Sequence, residues 1–238
     1  MTPGPSTAAA GKASAAAAAL SEVRSGLTLG LGTGSTMRYF LDGLALALRD
    51  GGLTGIRGVP TSHDTETRAR ALGIPLVELH DAGRLDLAVD GADEFDPSLD
   101  LIKGLGGALL REKMVVQAAD RFVVLVDPTK RVGRLGTRAP LPVEVVPFGW
   151  KAHIPFFREW GADPSLRMTA EGEPFLSDNG NLIVDLGFPG GIGNAGELDE
   201  ALQRRAGIVE SGLFLEVADR VLVGDADGVE VVDRKERP

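Results

Sequence analysis

The sequence predicts an α/β protein: a mostly parallel sheet covered by helices, with a second α+β module inserted into it. Three observations predict this. Short apolar runs alternate with helical patterns as far as "RFVVLVD" at 121–127, the rhythm of successive strand–helix units. From Pro140 the order changes to strand, helix, strand, strand, helix, strand, the split βαβ pattern of a ferredoxin-like module. After it a last apolar run, "DRVLVGD" at 219–225, reads as a strand returning to the first sheet. With 238 residues, 43% hydrophobic and 25% charged, the chain can build a large domain and a modest second one.

The elements follow in order. The Ala-rich start lacks the basic start and the long Leu/Val/Ile core of a secretory signal, and Lys12 interrupts it; a loose tail becoming a helix from near Lys12 to Arg24 is expected. "LTLGLG" is a short buried strand, and "STMRYFLDGLALALRD" a helix that Ser35 could cap. "GIRGVPTS" is a strand, "DTETRARALG" a helix, "PLVEL" and "LDLAVDG" strands, "ALLREKMVVQAAD" a helix and "RFVVLVD" a strand. In the inserted module the strands are "LPVEVVPFG", "SLRMTA", "GNLIVDLGF" and "IVESGLFL", and the helices "WKAHIPFFREWGA" and "ELDEALQRRAG". The expected organisation is a Rossmann-like sheet domain, residues 1–135 and 212–238, carrying the chemistry, with a ferredoxin-like (βαββαβ) lid domain at 136–211.

Charge and composition exclude several classes. A net charge of −9 disfavours nucleic acid and anionic membranes, so an anionic ligand needs a local positive site. Without cysteine there is no disulfide, thiolate ligand or thiol nucleophile, and the chain reads as cytoplasmic. No apolar run is long enough to span a membrane.

"GLGTGST", Gly30–Thr36, joins a strand to a helix, where free backbone N–H groups and the positive helix end suit an anion; Thr33, Ser35 and Thr36 add hydroxyls. It is neither a P-loop, lacking Gly-Lys-Ser/Thr, nor the dinucleotide fingerprint, whose third glycine is here Ser35; a plain tight turn with a helix cap is the alternative. "GIGNAG", Gly191–Gly196, matches G-x-G-x-x-G literally, but "FPG" separates it from the strand and its neighbours belong to the βαββαβ module, so it reads as a turn and not as an NAD site.

The stretch from Asp86 to Val115 holds seven carboxylates and three basic side chains. Asp90 and Asp93 end an apolar strand at the carboxyl edge of the sheet, Lys103 precedes a second glycine-rich turn, and Glu112 falls on the next helix. Proton transfer needs such a set: a carboxylate as base and a cation for the negative charge that develops on a substrate oxygen. A divalent metal on Asp90 and Asp93, or simple solvated charges with Glu112 and Lys113 on an exposed helix face, are the alternatives; the Asp spacing does not fit an EF-hand. Lysine is scarce, six against 19 Arg, yet Lys103, Lys113 and Lys130 cluster near the candidate edge. His63 could line the crevice, though a surface turn explains it better, and His80 and His153 show no partner pattern.

"GLGTGST", "VDGADEFD", "LIKGLGGALLREK", "VDPTKRVGRLG", "PLPVEVVPFGW", "DNGNLIVDLGF" and "GLF" stand in the order of the motifs of the type A ribose-5-phosphate isomerase family, which the chain resembles from about Lys12 to Gly228. The resemblance implies interconversion of D-ribose 5-phosphate and D-ribulose 5-phosphate in the pentose phosphate pathway, with no required metal or nucleotide cofactor. It implies that Glu112 carries a proton between C1 and C2 through an enediol, and that Asp90, Asp93 and Lys103 help open the sugar ring and stabilise oxygen charge. It places Lys12, Thr33, Gly34, Ser35, Thr36, Gly91, Ala92, Gly104, Leu105, Gly106 and Lys130 around the substrate. The expected partners are a sugar phosphate and a second copy of the chain, a homodimer being favoured. One departure is Leu105, which interrupts the family's glycine run; it is tolerable there if its φ is negative. A sugar-phosphate sensor without chemistry and an acyl-CoA transferase with a glutamate nucleophile are the rival readings.

Overall fold

The computed structural model describes residues 5–235, with side chains from residue 9 onward. Along the chain run α1 (Pro5–Leu20), β1 (Thr28–Leu31), α2 (Ser35–Arg49), β2 (Arg57–Pro60), α3 (His63–Ala71), α4 (Leu79–Ala82), β3 (Leu87–Gly91), β4 (Glu94–Phe95) and β5 (Leu101–Ile102). Then come α5 (Leu109–Gln117), β6 (Phe122–Val126), β7 (Leu141–Val145), α6 (Ile154–Glu159), β8 (Asp163–Leu166), β9 (Leu182–Gly187) and α7 (Ala195–Gln203). β10 (Ile208–Ser211), β11 (Leu213–Phe214), β12 (Arg220–Gly224) and β13 (Val229–Asp233) complete the described chain. By contacts it divides into two compact units, the second made of Asp93–Leu110 and Arg131–Glu216 and the first of the rest.

The first unit is built on a six-stranded sheet in the order β13-β12-β6-β3-β1-β2, in which every neighbouring pair is parallel except β12 with β13. Its central strands β1, β3 and β6 are buried along nearly their whole length, and β6 is apolar throughout, as burial on both faces requires. Leu29, Leu31, Val89, Val123, Leu125 and Leu222 meet Phe40 and Leu44 of α2 in one core. The Ala-rich α1 packs on this core through buried Ala15, Ala16 and Ala19. Small side chains allow a very close crossing: a Cβ on Gly11 would stand 2.4 Å from the Gly224 carbonyl oxygen. The start is therefore helical from Pro5 and ends at Leu20, earlier at both ends than the sequence suggested.

The second unit contains the antiparallel sheet β10-β7-β9-β8 with α6 and α7, which is the strand order of a split βαβ module. Its core gathers Val143, Val145, Val184, Leu186, Phe157, Leu198 and Leu202. A three-stranded sheet, β11-β5-β4, joins it through Ile102 and Leu213.

Some local expectations differ. "PLVEL" makes only a single bridge, Leu76 to Gly58, before the short α4, because Pro75 and the next helix leave no length for a ladder. The run 208–215 splits at Gly212 into β10 and β11, which serve different sheets. The N-cap of α2 is Gly34 rather than Ser35, and it makes no side-chain cap hydrogen bond. β13 is a strand that the sequence reading passed over, and its burial does not alternate: Val229 and Val232 are half-buried while Val231 is exposed. No helix among the described residues is long and apolar enough to cross a membrane.

Candidate active site

In the first unit, the carboxyl edge of the parallel sheet brings the glycine loop against Asp90. Gly32, Thr33 and Gly34 follow β1, and Asp90 lies in neighbouring β3. The Asp90 side chain is buried, and its Oδ1 accepts from the N–H of Thr33 at 3.0 Å and of Gly91 at 2.7 Å. Only a glycine fits opposite it: a Cβ on Gly32 would fall 2.1 Å from the carboxylate. The Thr33 hydroxyl turns inward, at 2.8 Å from the hydroxyls of both Thr61 and Ser62 and 3.2 Å from that of Thr65. Thr65 in turn donates to the Gly32 carbonyl at 2.9 Å. The loop is thus pinned from behind by the hydroxyl groups of Thr61, Ser62 and Thr65.

Its front is open. Gly34 has φ of +111° with nothing within 4 Å of where a Cβ would be. The first turn of α2 thereby presents uncapped N–H groups, and Gly34 and Ser35 are exposed. Lys12 Nζ donates to Ser35 Oγ at 2.8 Å, which sets a cation beside the positive end of a helix. That pairing is unfavourable unless an anion joins it. Lys130 ends a short 3₁₀ turn, Pro128–Lys130, directly beyond β6, at the same carboxyl edge.

Glu112 lies in the first turn of α5 and is 4% exposed. One turn later on the same helical face, Val115 presses onto β1, its Cγ1 2.4 Å from where a Gly30 Cβ would stand. α5 crosses from β3 to the parallel β6, so its amino end lies at the carboxyl edge of the sheet. Glu112 is carried to that edge. Lys113 is buried as well, so the exposed-face alternative does not hold for this pair.

In the second unit, Asp93 begins the β4–β5 hairpin, its N–H donating to the Ile102 carbonyl at 2.8 Å. Its Oδ2 accepts from the Leu105 N–H at 2.9 Å. Lys103 is buried, held through its N–H to the Gly212 carbonyl at 2.9 Å, with Nζ 5.3 Å above the Phe214 ring. Gly104 to Gly107 form a turn closed by the Gly107 N–H on the Gly104 carbonyl at 2.9 Å. Both end glycines are left-handed, at φ +103° and +84°. Leu105 is not: among the described non-glycine residues only Leu99 and Glu216 have positive φ. The departure from the glycine run is therefore accommodated without strain, its side chain 40% exposed.

A profile of the family described as ribose 5-phosphate isomerase A (phosphoriboisomerase A) matches residues 57–228. A Roseiflexus castenholzii protein named ribose-5-phosphate isomerase A is 51% identical over 215 residues, covering 90% of this chain and 92% of the relative. This chain belongs to the ribose 5-phosphate isomerase A family. A family member from Synechococcus is 47% identical over 93% of this chain and 96% of its own. Among solved structures, a D-ribose-5-phosphate isomerase in complex with phospho-erythronic acid superposes with a TM-score of 0.91 at 40% identity, covering 94% of this chain and 97% of that one. The ribose 5-phosphate isomerase of Plasmodium falciparum gives 0.92 at 36% identity, over 96% and 100%. Asp90, Asp93, Lys103 and Glu112 all lie inside the segment that the family profile matches.

Other expected and unexpected residues find plain places. His63 is exposed in the first turn of α3. "GIGNAG" is a turn into α7, capped by Asn194 Oδ1 accepting from the Glu197 N–H at 3.2 Å. Gly191 within it packs against Arg134 and Thr137. Among the described residues no three His, Asp or Glu side chains are grouped to hold a metal ion. Sequence reading missed Thr61, Ser62 and Thr65, although a Ser directly before a helix is an N-cap signal: Ser62 Oγ accepts from the Thr65 N–H at 3.1 Å. It also missed Arg167, which carried no motif.

Proposed function

We propose that the chain interconverts D-ribose 5-phosphate and D-ribulose 5-phosphate through an enediol, with Glu112 moving the proton between C1 and C2. The observation that carries this is the burial of Glu112 at the sheet edge that also holds the glycine loop and Asp90. The phosphate is taken by the uncapped N–H groups at the start of α2 with Lys12, Ser35 and Thr36, and with Lys130 from the turn after β6. Thr33 serves this loop through its backbone, since its hydroxyl is engaged inward. Gly34, Gly91 and Ala92 let the substrate approach main chain. Asp90 and Asp93 assist ring opening. Lys103, with the main-chain N–H groups of Gly104 and Gly106, stabilises the negative oxygen, while the Leu105 N–H is held by Asp93 and shapes the turn.

The magnitudes divide the work. A positioned base supplies about 10²–10⁴-fold. At about 1.4 kcal/mol per tenfold, the larger share falls to the oxygen-stabilising cation and N–H groups and to orientation of the sugar by its phosphate. The sheet domain with this loop is read as the catalytic part, and the ferredoxin-like module as its lid. The cysteine-free composition suits a reducing compartment, and a cytoplasmic location belongs to the same reading.

Purified protein mixed with ribose 5-phosphate in the presence of chelator is expected to form the ketose. Glu112→Gln is expected to lower turnover by about 10³-fold or more while calorimetry finds ligand binding within a few-fold of the parent. A variant that still turns over removes Glu112 from this role. We further infer a homodimer, to which the exposed Phe148, Met168 and Leu176 of the second unit offer apolar surface. Light scattering is expected to return about twice 24.9 kDa, and a monomer mass refutes it.

A further inference from the structure

Nothing in the sequence motifs accounts for Arg167, yet its guanidinium makes four hydrogen bonds within the second unit. Its Nη1 donates to two carbonyls of the glycine turn, Gly104 at 3.0 Å and Leu105 at 2.9 Å. Its Nε donates to Asp185 Oδ2 at 2.9 Å, and Nη2 to the other oxygen of the same carboxylate. The Arg167 and Asp185 side chains are only 12% and 17% exposed. The guanidinium stands 5.8 Å over the Phe175 ring, and that ring reaches within 2.6 Å of where a Gly107 Cβ would be. On the opposite side of the turn, Asp93 accepts from the Leu105 N–H at 2.9 Å.

An apolar side chain could fill this space at less desolvation cost than a nearly buried ion pair. What an apolar side chain cannot do is fix the direction of two adjacent carbonyls, and a fork with five donors can do that while still paired to a carboxylate. Fixing those carbonyls fixes the planes of the peptides that follow Gly104 and Leu105, and therefore where their N–H groups point.

We propose that Arg167, oriented by Asp185 and backed by Phe175, is a positioning residue for the isomerase: it sets the main chain of the 104–107 turn, and with it Lys103, for the charge that develops on the substrate oxygen. This rests on the reading that Lys103 and this turn face that oxygen. An interaction felt mainly in the transition state changes kcat more than KM. Small misplacements of such groups cost about 10²-fold.

The test compares Arg167→Lys, Arg167→Met and Asp185→Asn with Lys103→Met, measuring kcat, KM for ribose 5-phosphate and the thermal midpoint of each. Arg167→Lys keeps charge but not the fork, and is expected to lose about 10- to 100-fold in kcat with KM within about threefold. Asp185→Asn, which keeps the shape but loosens the guanidinium, is expected to fall between Arg167→Lys and the parent. If both remain folded with kcat within twofold of the parent while Lys103→Met is inactive, the positioning role of Arg167 is wrong and the reading of the turn survives. If Lys103→Met also retains kcat, the reading of the turn fails and takes this proposal with it. A loss that appears only in KM, or only in proportion to unfolded protein, likewise overturns the proposal.

Discussion

His153 shows how a single side chain can be held in one protonation state by its surroundings. It is buried, and Arg205 Nε donates to its Nδ1 at 2.9 Å, so that nitrogen must keep its lone pair. Burial first, and the Arg205 charge second, hold its pKa below the usual histidine value. The unfolded chain, with a value near 6.5, therefore takes up more protons as the pH falls below that point. Stability from this site is complete above about pH 6.5 and is lost as the pH falls through the folded value. We expect His153→Gln, which can still accept from Arg205, to flatten the fall in unfolding free energy on the acid side of pH 6.5. Equal slopes for parent and variant would refute the assignment. The residue was visible in the sequence but its partner, 52 positions away, was not. By contrast Asp90 and Lys103 stood out as candidates through local signals, a strand end and a glycine turn, whereas Glu112 on the following helix was singled out as a base by the family resemblance.

At the scale of elements, Glu94 explains how a loop becomes a fixed entry to a strand. It is fully buried in β4, yet its carboxylate accepts from the N–H groups of Gly136, Arg138 and Ala139 at 2.6, 2.5 and 2.7 Å. Those residues lead into β7. Hydrogen bonds to charged groups contribute about 1.5–3 kcal/mol each. Glu94→Gln turns an amide toward backbone donors and is expected to lower the unfolding free energy by about 2–4 kcal/mol; a change below about 0.5 kcal/mol in denaturant titration, the level of ordinary surface substitutions, would exclude the role. The long strands and helices were legible because their periods are strong. β4 and β5, of two residues each, were not, since they form a minimal hairpin whose third strand, β11, pairs with β5 from more than 100 positions away.

For the whole molecule, the parallel sheet and the antiparallel module were both legible from the order of apolar runs, and the return of the chain to the first sheet through β12 was too. Where one unit gives way to the other was harder to read, because the chain passes between them four times, at Ala92, Leu110, Lys130 and Glu216. The core of the second unit includes Ile102, Val132, Leu135 and Leu213. A fragment of residues 136–211 lacks all four and also lacks Glu94. It is expected to show no cooperative thermal transition by circular dichroism, whereas sharp unfolding would mark it as an autonomous domain.

The ordinary backbone angle at Leu105 makes this position usable as an attachment point. With no other thiol anywhere in the chain, a cysteine introduced there would be a unique handle for a fluorescent dye. Seated on a partly exposed side chain at the crest of the turn, such a reporter would brighten or dim as sugar arrives, giving an optical titration without any need for turnover.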